Sequence, residues 1–236
     1  MRLAPLAVLA AGVLAACSYA EGEPKPRGPV VIELFTSQGC SSCPPADRLL
    51  SKLARDSTED RPIAPLSFHV DYWDDLGWPD PFAKPAWTER QRGYARALGD
   101  RSIYTPQLVV GGAKGVVGSN SLSVTTALAA AKQPELLPTK SVWSAAHLEV
   151  EVTAPADADV WIAIWEDNTT TKVTRGENAG ETLAHDRVVR HLERMAIAGK
   201  KSTTTIKLDP RWRTTGAVAF AQRTDRTIVS SAFLRR

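Results

Sequence analysis

At 236 residues the chain is long enough for one large domain or two small ones. Its apolar fraction of 43% and charged fraction of 23% are ordinary for a protein that buries a core. A formal net charge of +3, with no basic stripe interleaved with aromatics, speaks against a nucleic-acid partner.

The first element is a targeting segment. Arg2 is a minimal positive n-region, and Leu3 to Val13 form an apolar run too short to span a bilayer unaided. The run closes on Leu14-Ala15-Ala16-Cys17, which resembles a bacterial lipobox. That resemblance implies a signal peptide over 1–16, lipid on Cys17, and a polar Pro/Gly-rich tether over 17–27. The alternative is an ordinary secretory signal cut near Ala16 or Ala20. A lipidated chain would sit in the cell envelope facing the periplasm, and Ser18 after the cysteine favours the outer membrane. Three cysteines less one lipidated leave a single pair, in a compartment where disulfides persist.

That pair, Cys40 and Cys43, stands between a predicted buried strand at 29–36 and a predicted helix at 45–55. A dithiol at a strand end and helix start lies at the positive end of the helix dipole, which stabilises a thiolate. Pro44 and Pro45 move the helix start toward Pro45 and weaken that effect at Cys40. A second strand over 63–70 leads to a loop holding Asp71, Trp73 and Asp74, expected beside the same cleft. A helix over 86–98 follows, with Trp87, Tyr94 and Leu98 to one side and Arg90, Arg92 and Arg96 toward solvent, stopped by Gly99. Thr105-Pro106 then heads a hairpin of 107–110 and 115–118, and Ser119 or Ser121 caps a helix over about 121–132. Beyond a linker bounded by Pro134 and Pro138, five or six short strands between 148 and 233 read as a small antiparallel sandwich.

The order of strand, dithiol, helix, strand, helix, Thr-Pro, hairpin and helix resembles the thioredoxin fold. The run Glu33 to Asp47 (ELFTSQGCSSCPPAD) is more similar still to a bacterial exported family of unknown function, as are Tyr104-Thr105-Pro106-Gln107 and Arg175 to Gly180. The implied architecture is a thioredoxin-like domain over 28–135, a mixed four-stranded sheet flanked by helices, followed by a smaller antiparallel β-sandwich domain over 139–236. The implied activity is thiol–disulfide exchange with envelope protein thiols or disulfides, without a cofactor. Cys40 is then the exposed nucleophile and Cys43 the buried resolving thiol. Ser41 and Ser42 donate to the Cys40 thiolate, and a cis Pro106, with Thr105, orients the substrate backbone. Glu33 is a candidate proton relay, although it lies seven residues before Cys40 where the pattern calls for six.

Two other functions fit the same residues. One is a metallochaperone holding Cu(I) or Zn through both thiolates, with His69 or a partner thioether as third ligand. The other is a non-catalytic adaptor. None of His69, His147, His185 and His191 has ligand spacing to another, and His185 reads as a turn residue.

Overall fold

A computed structural model describes residues 26–236. The signal peptide, the tether up to Lys25 and the lipidation expected at Cys17 lie outside the described residues. Among the described residues no helix is long and apolar enough to cross a membrane.

Fourteen strands and three α-helices alternate in the order β1 Val30–Thr36, α1 Pro44–Arg55, β2 Ile63–His69, α2 Pro85–Leu98, β3 Gln107–Val110, β4 Lys114–Val117, α3 Ser121–Ala130, β5 Glu135–Leu136, β6 Thr139–Trp143, β7 His147–Thr153, β8 Asp159–Asp167, β9 Thr169–Lys172, β10 Thr182–His185, β11 Val188–Ala196, β12 Lys201–Lys207, β13 Thr214–Gln222 and β14 Ile228–Phe233. Gly99, in the left-handed region, ends α2 as expected. The N-cap of α3 is Asn120, whose side chain accepts from Ser123 N–H, in place of either serine.

The expected four-stranded sheet followed by a separate sandwich is corrected by the sheet topology. Nine strands form one mixed sheet in the order β4-β3-β1-β2-β11-β8-β13-β14-β5. The junction is β2 against β11, where Val188 pairs in parallel with Ser67 and Ser67 N–H donates to Arg187 O at 2.8 Å. An open β2 edge would leave a row of unpaired backbone groups, and the C-terminal half supplies the missing partner. A second sheet, β12-β7-β6, packs its apolar face on that half: Leu148, Val150 and Val152 of β7 meet Val160, Ile162 and Ile164 of β8. The period-two alternation of β7 has the register such a half-buried strand needs.

Successive residues of β1 face opposite ways. Val30, Ile32 and Leu34 pack under α1 and α3 together with Ala46, Leu50 and Leu128. Val31 and Phe35 face α2 in a core that also takes Trp87, Tyr94, Trp165 and Phe220. That core draws residues from both halves of the chain, so α2 packs across their junction. The β3–β4 turn needs glycine at 112, where φ is +71° and a Cβ would fall 1.8 Å from Arg226 O.

Candidate functional site

The dithiol loop is built from backbone turns. Cys40 N–H donates to Ser37 O at 3.2 Å, and Cys43 N–H donates to Cys40 O at 3.2 Å. Cys43 is the N-cap of α1, with its carbonyl accepting from Ala46 and Asp47 N–H at 2.8 and 3.1 Å. Both prolines occupy the first turn, where no N–H is required, and the helix begins at Pro44, one residue earlier than expected. Its positive end therefore lies at Cys43. The two cysteines form a disulfide with Cα atoms 5.4 Å apart.

Both cysteines are 0% exposed, whereas Ser41 and Ser42 between them are exposed. The exposed nucleophile expected at Cys40 is thus covered. The loop around it is bonded by a segment distant in sequence, the β9–β10 hairpin and its connecting loop. Asn178 Nδ2 donates to Gln38 O at 2.8 Å and to Cys40 O at 3.0 Å. Glu177 Oε2 accepts from Ser41 N–H at 3.0 Å and from the Ser41 hydroxyl at 2.7 Å. Gln38 is clasped further by Trp78 Nε1–H, at 3.1 Å, and by the Thr171 hydroxyl, at 3.0 Å. Of the two intervening serines only Ser42 approaches sulfur, its hydroxyl 3.3 Å from Cys40 Sγ; Ser41 is turned to Glu177.

The Thr105–Pro106 peptide is cis. Thr105 Oγ1 accepts from Trp73 Nε1–H at 2.8 Å, and the Trp73 side chain lies against Gly39, so the Thr-Pro segment is tied to the dithiol loop through one indole. Asp71 accepts from the Thr88 hydroxyl, and Asp74 accepts from Asp80 N–H at 3.1 Å. These two hold turns; Trp73 is the member of that loop that touches the site.

Glu33 takes a different place from the one expected. It lies on the α2 face of β1, opposite Ala46 and Leu34 of the α1 side, with its carboxylate gripped by Arg90 Nε and Nη2 and by the Tyr94 hydroxyl. Arg90 correspondingly is buried, not turned to solvent. Its guanidinium lies over the rings of Phe68, Tyr94, Trp161 and Phe220. A carboxylate held by two guanidinium nitrogens is a structural ion pair, and the relay assignment is corrected. The positions show it in hindsight, for Trp87, Arg90 and Tyr94 recur at helical spacing along one stripe.

The titratable groups close to the dithiol are others, Asp47, His69, Asp80 and His185, all buried. Asp47 lies one helical turn on from Cys43. His69 ends β2, on the same face as Thr36 of β1, and its Nδ1–H donates to Asp80 Oδ2 at 2.7 Å. The same Asp80 oxygen accepts Gln38 N–H at 2.7 Å, which links the pair to the start of the disulfide loop. His185, at the end of β10 and not in a turn, sets its ring 4.8 Å from that of His69 and its Nδ1 3.7 Å from Asp47 Oδ2. The candidate metal-ligand role of His69 meets the same fact: its ring is engaged by Asp80, His185 and Phe82.

Eight buried side-chain polar atoms lack a partner among the described residues, and six of them belong here: Thr36 Oγ1, Asp47 Oδ1, Ser67 Oγ, His69 Nε2 and both ring nitrogens of His185. Such atoms are rare in folded proteins and concentrate at functional sites. Burial raises the Asp47 carboxyl to about 6, with the His69 charge working against it. Burial and the charge on His69 together lower His185 to about 3. For His69 burial opposes charging, but the Asp80 carboxylate outweighs it and the imidazole is raised. Asp80 goes down despite burial, held by His69 and by the Gln38 and Phe82 N–H groups. The arrangement can store and move protons directly beneath the start of α1. Sequence spacing does not reveal it, because β2, the loop before α2 and the β9–β10 hairpin meet only in the fold.

A cavity of about 1,050 Å³ lies elsewhere, between α3, β4 and β14 at the β3–β4 turn. That turn is at the opposite end of β1 from the dithiol, so the cavity is separate from this chemistry.

Two solved structures are similar along nearly the whole chain. A structural-genomics crystal structure from Agrobacterium tumefaciens is 30% identical with a TM-score of 0.67, over 89% of this chain and 96% of that one. HBP35 of Porphyromonas gingivalis is 14% identical with a TM-score of 0.60, over 88% of this chain and 74% of that one, a likeness of fold alone. No curated protein matches the chain. A family model described as "Protein of unknown function (DUF1223)" matches residues 31–222, which hold the dithiol loop, all four members of the buried cluster and the covering hairpin, and the chain belongs to that family.

Proposed function

We propose that the protein is a thiol–disulfide exchange protein of the cell envelope, acting on protein thiols or disulfides through Cys40 and Cys43 and held to the membrane by lipid on Cys17. One observation carries the reading. The disulfide spans a sequence separation of only 3, so it removes little entropy from the unfolded chain and is a poor brace. Yet beside it the fold buries two carboxylates and two imidazoles, Asp47, Asp80, His69 and His185, and burying ionisable groups costs stability. A bridge serving only as a brace would be backed by apolar side chains. The run of strand, Cys-x-x-Cys and helix, with a Thr-Pro segment beside it, also resembles thioredoxin-like sites.

In the exchange a partner thiolate attacks Cys40 Sγ and the bond between the two cysteine sulfurs breaks. A second partner thiolate then displaces Cys40. The partner loses two electrons and becomes a disulfide, the Cys40–Cys43 pair gains them, and the reverse direction runs through the same steps. Thr105 and Pro106, fixed to the loop by Trp73, present backbone to the partner segment.

Titration against glutathione is expected to give reversible two-electron reduction with a midpoint between about −120 and −270 mV, the span of known exchange proteins. Cys40→Ser should abolish exchange with a protein disulfide, and Cys43→Ser should accumulate a mixed disulfide with the partner. Retention of full exchange by Cys40→Ser, or a bridge that never opens in the folded protein, overturns the reading. Stoichiometric Cu(I) binding by the reduced chain without exchange would replace it with metal carriage.

A further inference from the structure

We propose that the loop between β9 and β10 is an internal occupant of the partner-binding strip over Cys40–Cys43, displaced by an extended polypeptide that makes the same backbone contacts. The inference rests on the exchange reading and names the partner's chemistry and what regulates its access.

The loop is closed on itself. Val173 N–H donates to Glu181 O at 2.9 Å, Gly180 N–H to Val173 O at 2.9 Å, and Glu181 N–H to Asn178 O at 3.1 Å. Gly176 and Gly180 hold it in shape with φ of +76° and +90°. Most of its residues are exposed; Val173 at its base and Asn178 are the buried ones, and Asn178 is the one bonded to the dithiol loop. The loop can therefore lift away without unmaking a strand.

Its grip on the dithiol loop is made by two side chains. Asn178 donates to the carbonyls of Gln38 and Cys40, and Glu177 accepts from the N–H and hydroxyl of Ser41. An acceptor for Ser41 N–H and a donor for the Cys40 carbonyl are what an extended peptide backbone offers with its own C=O and N–H. A small thiol does not present both in the register of an extended chain. The contacts to be replaced are four side-chain hydrogen bonds, those of Glu177 exposed and those of Asn178 buried, and each is individually modest.

Charge adds a direction. The Glu177 carboxylate is held below its usual range by the two Ser41 contacts, so it is anionic beside the residue that follows Cys40. A thiolate forming on Cys40 meets a like charge while the loop is seated and loses that neighbour once a partner replaces it. Covered, the disulfide is shielded from small thiols; uncovered, it is open to a protein.

The test is the rate at which dithiothreitol reduces Cys40–Cys43 in the full chain. In the wild type the rate is expected to level off at high reductant, because loop opening becomes limiting. In the double variant Glu177→Gln/Asn178→Ala it should stay proportional to reductant and exceed the wild-type rate by at least tenfold. An unstructured cysteine-containing peptide should reduce the wild type faster than glutathione at equal thiolate concentration, and this preference should shrink in the variant. Equal rates for wild type and variant, with no levelling off in the wild type, overturn the cover. Should the variant misfold, the levelling off and the peptide preference decide on the wild type alone. Faster reduction of the variant by dithiothreitol, with no exchange against any protein disulfide, would leave the cover standing and remove the exchange reading instead.

Discussion

Arg90→Met should lower the unfolding free energy by about 3–5 kcal/mol, the range for removing one partner of a buried ion pair. In a chain of this size that is a drop of about 6–20 °C in the unfolding midpoint. The reason is what stays behind. Glu33 is buried on the α2 face, and its carboxylate would keep the Tyr94 hydroxyl but lose both guanidinium contacts. Arg90 also bonds Gln222 at 3.3 Å, and Gln222 donates to the Tyr94 hydroxyl at 2.8 Å, so the loss reaches β13 and the junction of the two halves. The double variant Glu33→Leu/Arg90→Met should recover most of the stability, because the site is ringed by Phe68, Trp161 and Phe220. Denaturant titration measures both. A loss under about 1 kcal/mol for Arg90→Met would sink the structural role given to the pair, as would a changed Cys40–Cys43 midpoint in the double variant.

His185→Gln should make the protein markedly more tolerant of acid. Folded His185 stays neutral down to about pH 3, while the unfolded chain takes up that proton near 6.5. Between these values the unfolded state binds more protons, so stability falls as pH falls, and the loss approaches about 5 kcal/mol by pH 3. The variant lacks this loss, and the difference between the two stability–pH curves isolates it. Asp47 acts in the opposite sense. Its folded carboxyl keeps a proton up to about 6 whereas the unfolded one releases it near 3.8. The folded state then binds more protons, and stability is lost as pH rises through that window, by about 3 kcal/mol, and remains lost at pH 7. Relative to Asp47→Asn, the wild type should therefore weaken between pH 4 and pH 7.

The groups facing the pair are those of the cluster and its rim: His69 and Asp80, with Arg48 on α1, Asp186 after β10 and Arg190 on β11. A wild-type curve parallel to that of His185→Gln across pH 3–7 would show that the hairpin histidine is not sealed in. Because His185 anchors the hairpin that carries Asn178, the acid loss should be accompanied by faster reduction of Cys40–Cys43 below pH 5 than thiolate chemistry predicts.

Several parts of this molecule were legible from local pattern because the physics there is local. The cysteine pair at a strand end, the helix through Leu50 and Leu53, the Gly99 stop and the alternation of Leu148, Val150 and Val152 each follow from a few adjacent residues, whereas the cis Thr105-Pro106 bond was expected only from the family resemblance. The one-sheet architecture was not legible, since a strand edge does not state which distant strand will pair with it. Arg90 misled for a related reason: an arginine on a helix reads as solvated until the carboxylate that neutralises it, on another element, is known.

The residue order by itself determined that a Cys-x-x-Cys pair sits between β1 and α1, because spacing and turn chemistry act within a dozen residues. Only the tertiary structure decided that the pair is buried, that its loop is bonded by Glu177 and Asn178, that His69 and His185 stack nearby, and that one sheet is shared by both halves. Burial, ion pairing and strand partnership depend on contacts between elements far apart in the chain, and no local pattern encodes them.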